Sequence, residues 1–79
     1  MDQSENEVDR KITQLIRQSI VKDSSLSTSA KNIKIVTIDG VVTLRGPVKS
    51  ELEKREVEAK AQQVTGVKEI KDQLEIVTR

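Results

Sequence analysis

The stretch 37-TIDGVVTLRGPV-48 decides how this chain folds. Its Asp39-Gly40 pair stands between two β-branched runs, Ile33 to Ile38 and Val41 to Leu44. Asp-Gly favours a two-residue type I′ turn, because glycine accepts a positive φ without strain. Such a turn sets the register. Ile38 lies opposite Val41, Val36 opposite Thr43 and Lys34 opposite Arg45. Side chains alternate along a strand, so Ile33, Ile35, Thr37, Val42 and Leu44 share the other face. That second set is the more apolar and is expected to face the core. Gly46-Pro47 is expected to end the pairing, since proline has no N–H for a ladder.

On the N-terminal side, residues 1–4 read as a loose tail before a single domain over 5–78. Ser4 stands three residues before Glu7, the spacing of a capping box. Val8, Ile12, Leu15, Ile16 and Ile20 then recur at helical spacing, with acids early and bases late, as the helix dipole favours. A helix over 5–22 follows, then a Ser-rich loop over 23–32 with Leu26 as its apolar anchor. On the C-terminal side, Ser50 and Glu53 repeat the capping-box spacing and open a second helix. Val57, Ala61 and Val64 form its narrow stripe, which Leu52 either begins or helps to close, and Gly66 stops it. A third strand runs from Val67 to Val77. Ile70, Leu74 and Ile76 are its expected core residues, with a bend or bulge near Lys71-Asp72 where alternation breaks.

The order is α-β-β-α-β. A helix between strands two and three permits a parallel, right-handed crossover. The expected fold is α+β: a three-stranded mixed sheet with two helices packed on one face and the other face open to solvent.

Composition narrows the function classes. The chain has 79 residues, 34% of them hydrophobic and none aromatic, so it is one domain with an aliphatic core. Fourteen bases against 13 acids give a net charge of +1, so overall charge selects no polyanionic partner. Histidine and cysteine are both absent, which removes the usual bases, thiol nucleophiles and zinc ligands. The segment 22-KDSSLS-27 offers one acid, too few for a calcium loop. No catalytic residue, metal site or cofactor is expected. No apolar run approaches the ~20 residues of a membrane span. The polar, acidic start MDQSENEVDR does not read as a secretory signal. The expectation is a cytoplasmic chain, or an excised or mature piece of an exported protein.

The running pattern resembles the BON domain, a bacterial module named for osmotic-shock and nodulation proteins. The resemblance rests on Leu26-Ser27, on Asn32-Ile33-Lys34-Ile35, on Asp39-Gly40-Val41-Val42-Thr43-Leu44-Arg45-Gly46, on Gly66-Val67-Lys68-Glu69-Ile70 and on Leu74-Glu75-Ile76. It covers roughly residues 8–77. Pro47 departs from it, since the family usually has a small polar residue there, and alanine is sparse on the second helix. The resemblance implies an αββαβ fold without catalytic activity. It also implies phospholipid binding or attachment to membranes and envelopes, a place in the periplasm or at the cell envelope, and a link to stress response. Tandem copies or a neighbouring domain are a further implication.

Several residues have a structural reading. Asp39 and Gly40 make the turn, Gly46 allows close packing or a strand end, and Ser4, Ser50 and Gly66 cap helices. The candidate binding surface is the solvent face of the hairpin: Lys34, Val36, Ile38, Val41, Thr43 and Arg45, with Lys49 nearby. It reads in three ways. It is an ordinary solvated sheet face, a docking surface for another BON copy or partner protein, or a site where bases meet an anionic phospholipid headgroup. Nucleic acid is not expected, because the chain lacks both a GXXG loop and stacking aromatics.

Overall fold

The computed structural model describes residues 6–77. Its elements run α1 (Glu7–Val21), α2 (Thr28–Lys31), β1 (Lys34–Ile38), β2 (Val41–Val48), α3 (Glu51–Gln62) and β3 (Glu69–Ile76). The three strands form one mixed sheet in the order β1-β2-β3. β1 and β2 are antiparallel, in the register the Asp39-Gly40 pair predicts, and β2 and β3 are parallel. Asp39 and Gly40 both have positive φ, 51° and 81°. A Cβ on Gly40 would come within 2.9 Å of the Gly66 carbonyl oxygen, so two loops meet at this turn.

The hydrophobic core lies between the sheet and the helices. Ile12, Ile16 and Ile20 of α1 and Val57 and Ala61 of α3 meet Ile33, Ile35, Val42, Leu44, Val48 and Leu74. Thr37 joins them on the same sheet face, fully buried, with its Oγ1 2.8 Å from Oγ1 of Thr13 on α1. The hydroxyl pair lets a β-branched polar residue sit in an aliphatic core.

Several boundaries differ from the sequence reading, each for a local reason. α1 is capped by Asn6, whose side chain accepts from the Asp9 N–H at 2.8 Å; the Ser4 cap lies outside the described residues. The inward stripe of α1 is Asp9, Ile12, Ile16 and Ile20, and Val8 and Leu15 face outward. The Ser-rich loop holds a short helix, α2, capped by Ser27, and Ala30 joins Leu26 as a buried anchor. Leu52 is exposed and Glu53 takes the inward place at the start of α3. α3 ends at Gln62, so Val64 packs against the core from the following turn.

Pro47 does not end β2. The strand pairs with β3 through Gly46↔Leu74, Pro47↔Glu75 and Val48↔Ile76. In a hairpin with a two-residue turn, the pair flanking the turn is hydrogen-bonded and the bonding alternates from there. The backbone groups of Val41, Thr43 and Arg45 therefore point at β1, and the next in line is Pro47. Pairing with β1 stops at Lys34↔Arg45, so the missing N–H of Pro47 faces a side where no strand remains. In β3 the register advances residue for residue from Val41↔Glu69 to Val48↔Ile76, with no inserted bulge. Asp72 shares the helix-side face with Ile70 and Leu74, and its Oδ2 lies 3.8 Å from Lys54 Nζ on α3. Of the three expected core residues of β3, Leu74 is buried and Ile70 half-buried, while Ile76 at the strand end is 41% exposed.

Candidate functional site

Three long-range clamps hold the sheet in position. The first is Asp9, which is 2% exposed and aims its carboxylate from the first turn of α1 at the hairpin tip. Its Oδ2 accepts from the Asp39 N–H at 2.8 Å and its Oδ1 from the Gly40 N–H at 3.0 Å. A type I′ turn leaves these N–H groups without strand partners, and a carboxylate satisfies both at once. The second clamp is Arg17, two helical turns on, which donates to the carbonyls of Lys31 at 2.9 Å and Ile33 at 2.7 Å. With Thr13 between them, Asp9 and Arg17 make an i, i+4, i+8 polar stripe that tracks β1 along its outer side.

The third clamp is Glu53. Its carboxylate accepts from the Ser27 N–H, the Ser27 hydroxyl and the Lys49 N–H, all within 2.8 Å, while its own N–H donates to Ser50 Oγ at 3.1 Å. Burial alone would raise the Glu53 pKa. The hydrogen bonds from Ser27 and Lys49, together with the Lys49 charge, outweigh it and hold the carboxyl below the ordinary glutamate range. Nearby, Asp23 accepts from Ser25 and lies 3.0 Å from Lys60, which lowers its pKa to about 2.

Among the described residues, nothing packs on the reverse of the sheet. Combining the two registers gives its rows: Ile38, Val41 and Glu69 at the hairpin end, then Val36, Thr43 and Lys71, then Lys34, Arg45 and Gln73. Ile38, Lys34 and Arg45 are exposed, and Val36, Val41 and Thr43 are half-buried. The face thus has an apolar end at the turn, a basic middle, and Glu69 and Glu75 along the β3 side.

Six of the seven candidate residues come together in this way. Lys49 does not join them, because it lies past the end of β2, with its N–H bonded to Glu53 and its charge acting on that carboxylate. Lys71 takes the third basic place, beside Thr43. It was missed because strand order is not written in the local pattern. Asp9 was also missed as a clamp, since a first-turn acid satisfies the helix dipole without any tertiary partner. An acid one residue after Val8, on the flank of an apolar stripe, was the available signal.

Among the described residues, no three His, Cys, Asp or Glu side chains are grouped to hold a metal ion, and no helix is long and apolar enough to cross a membrane. Comparison with curated proteins returned no match. BON domains are generally noncatalytic binding modules, linked to phospholipid and envelope binding and typically periplasmic or envelope-associated. A family model for the BON domain matches residues 8–78, nearly the whole length, and the chain belongs to that family.

Proposed function

We propose that this domain is a noncatalytic module that attaches to anionic phospholipid at a bacterial envelope through the bare face of its sheet. The observation that carries the reading is the adjacency, on one exposed face, of Ile38, Val41 and Val36 to Lys34, Arg45 and Lys71. The apolar row suits the glycerol and upper acyl region, and the bases suit the headgroup charge. Each base near an anionic surface contributes about 1 kcal/mol, and three give about 3 kcal/mol. Glu69 and Glu75 subtract from that, so a single domain binds weakly and salt-sensitively, and firm attachment needs several domains on one surface.

Vesicles of phosphatidylglycerol and of phosphatidylcholine, titrated into labelled protein and followed by amide NMR shifts, test the reading. The expected result is movement at residues 34–45 and at Lys71 with the anionic vesicles only, reversed near 1 M salt, where the screening length falls to about 3 Å. Silence of that face at high lipid, or shifts confined to the helices, overturns it. A periplasmic or envelope location is part of the proposal, and localisation of the tagged full reading frame by cell fractionation tests it.

The second reading is a protein contact at the same face, favoured by the adjoining apolar residues Val36, Ile38 and Val41. Capture of a partner domain that Val36→Asp abolishes, with vesicle binding absent, decides for it.

A further inference from the structure

The two edges of the sheet are guarded differently. At β1 the guard comes from another element. Asp9 takes the Asp39 N–H and Arg17 takes the Ile33 carbonyl, so α1 occupies both ends of that edge. At β3 no other element does this among the described residues. The Val77 N–H donates to the Val48 carbonyl at 2.8 Å, which in a parallel ladder turns the odd-numbered N–H groups at this end toward β2 and the even-numbered ones outward. One outward group, the Leu74 N–H, is held by the side chain of Asp72 in the same strand, at 2.9 Å. Beside it Ile76 and Val77 are 41% and 46% exposed.

We infer that β3 is a pairing edge for a second copy of this chain, joined antiparallel about a two-fold axis at Gln73. The charge pattern of 69-EIKDQLEI-76 selects that register. With Gln73 opposite itself, Lys71 lies opposite Glu75 of the second copy, and this happens twice. Ile70 lies opposite Ile76 of the second copy, also twice, which covers the exposed end of the strand. Moving the axis to Asp72 sets Glu69 against Glu75 and Asp72 against itself, and moving it to Lys71 sets lysine against lysine. Opposite charges across a strand pair attract and like charges repel, so the Gln73 register is the favoured one.

Its backbone pairs are Asp72 with Leu74 of the second copy, which uses the outward Leu74 N–H. The Asp72 carboxylate must release that N–H as the copies join, and Lys54, 3.8 Å away, remains to hold it. Asp72 is thus a latch on the edge, of the kind edge strands use to limit uncontrolled pairing. The product is a six-stranded sheet with two bare faces side by side. Any gain in lipid avidity rests on the reading above, whereas the dimer itself is measured without lipid.

Sedimentation equilibrium of the chain and its variants, without lipid, tests this. The wild type is expected to show a concentration-dependent monomer–dimer equilibrium. Lys71→Glu is expected to weaken it roughly tenfold or more, Glu75→Lys likewise, and the double exchange to restore it. Asp72→Ala frees the Leu74 N–H and is expected to tighten the dimer. All three positions are exposed on β3, and circular dichroism checks that each of the four variants folds. A wild type that stays monomeric at millimolar concentration overturns the inference. So does a dimer indifferent to Lys71→Glu, or a double exchange that does not recover.

Discussion

Val41 and Val42 are neighbours of the same type in the same strand, yet Val42 is fully buried under the helices and Val41 is half-exposed on the bare face. The two sheet faces share a β-branched composition. What separates them is the layer above. One side receives Ile12, Ile16 and Ile20 from α1 and Val57 and Ala61 from α3, and the other receives nothing from the described residues. β-branched residues therefore do two jobs here: packing on one face and strand propensity on the other. Stability resides on the first face, and the second is free to carry lysine, arginine and exposed isoleucine.

The sharpest way to break this comparison is to truncate both faces. Leu44→Ala removes a fully buried side chain and is expected to cost about 3 kcal/mol in urea unfolding. Val41→Ala on the bare face is expected to cost less than about 1 kcal/mol. Equal losses would mean that the bare face is packed in solution.

Asp9→Ala comes next. It strips the acceptor from the Asp39 and Gly40 N–H groups and is expected to cost about 2 kcal/mol, with faster hydrogen exchange at both amides. Asp9→Asn keeps the shape but not the charge and should lose less. If exchange at the turn is unchanged, the clamp is not what holds the hairpin to α1.

Acid is a milder probe of the helix side. Glu53 and Asp23 both titrate below their unfolded values, Asp23 at about 2. Each therefore favours the folded chain fully above the unfolded carboxyl pKa values of about 4. That contribution drains as pH falls from about 4.5 toward about 2, as the unfolded chain takes up protons first. Glu53→Gln is expected to flatten the acid limb of a stability-versus-pH curve, and an unchanged limb would remove Glu53 from the account.

The smallest stability effect is expected where the functional effect is largest. Lys34→Glu with Arg45→Glu should move the unfolding free energy by less than about 0.5 kcal/mol. The same pair should abolish binding to anionic vesicles.

The order of elements, the hairpin register and the two-sided sheet were legible from the chain. Each rests on short-range rules: a two-residue turn, a period of two in strands, and helical spacing in 8-VDRKITQLIRQSI-20. The candidate surface was legible for the two strands the turn joins, because the turn carries their alignment. It was not legible for Lys71, whose neighbours come from a strand 28 positions earlier through a crossover. Asp9 and Glu53 were hidden for another reason. Acids at helix starts have a sufficient local role, so even an acid flanking the apolar stripe, as Asp9 does, does not reveal partners 31 and 26 residues away.

The sequence by itself determined the kinds of element, the pairing of β1 with β2 and the inward set Ile33, Ile35, Thr37, Val42 and Leu44, because those depend on backbone geometry within a few residues. Only the tertiary structure decided that Pro47 lies inside a strand, that α1 turns Asp9 inward and Val8 outward, and that α1 guards one edge while Asp72 holds an N–H of the other. Those outcomes depend on which backbone groups and side chains distant segments bring together, and a linear pattern does not carry that distance.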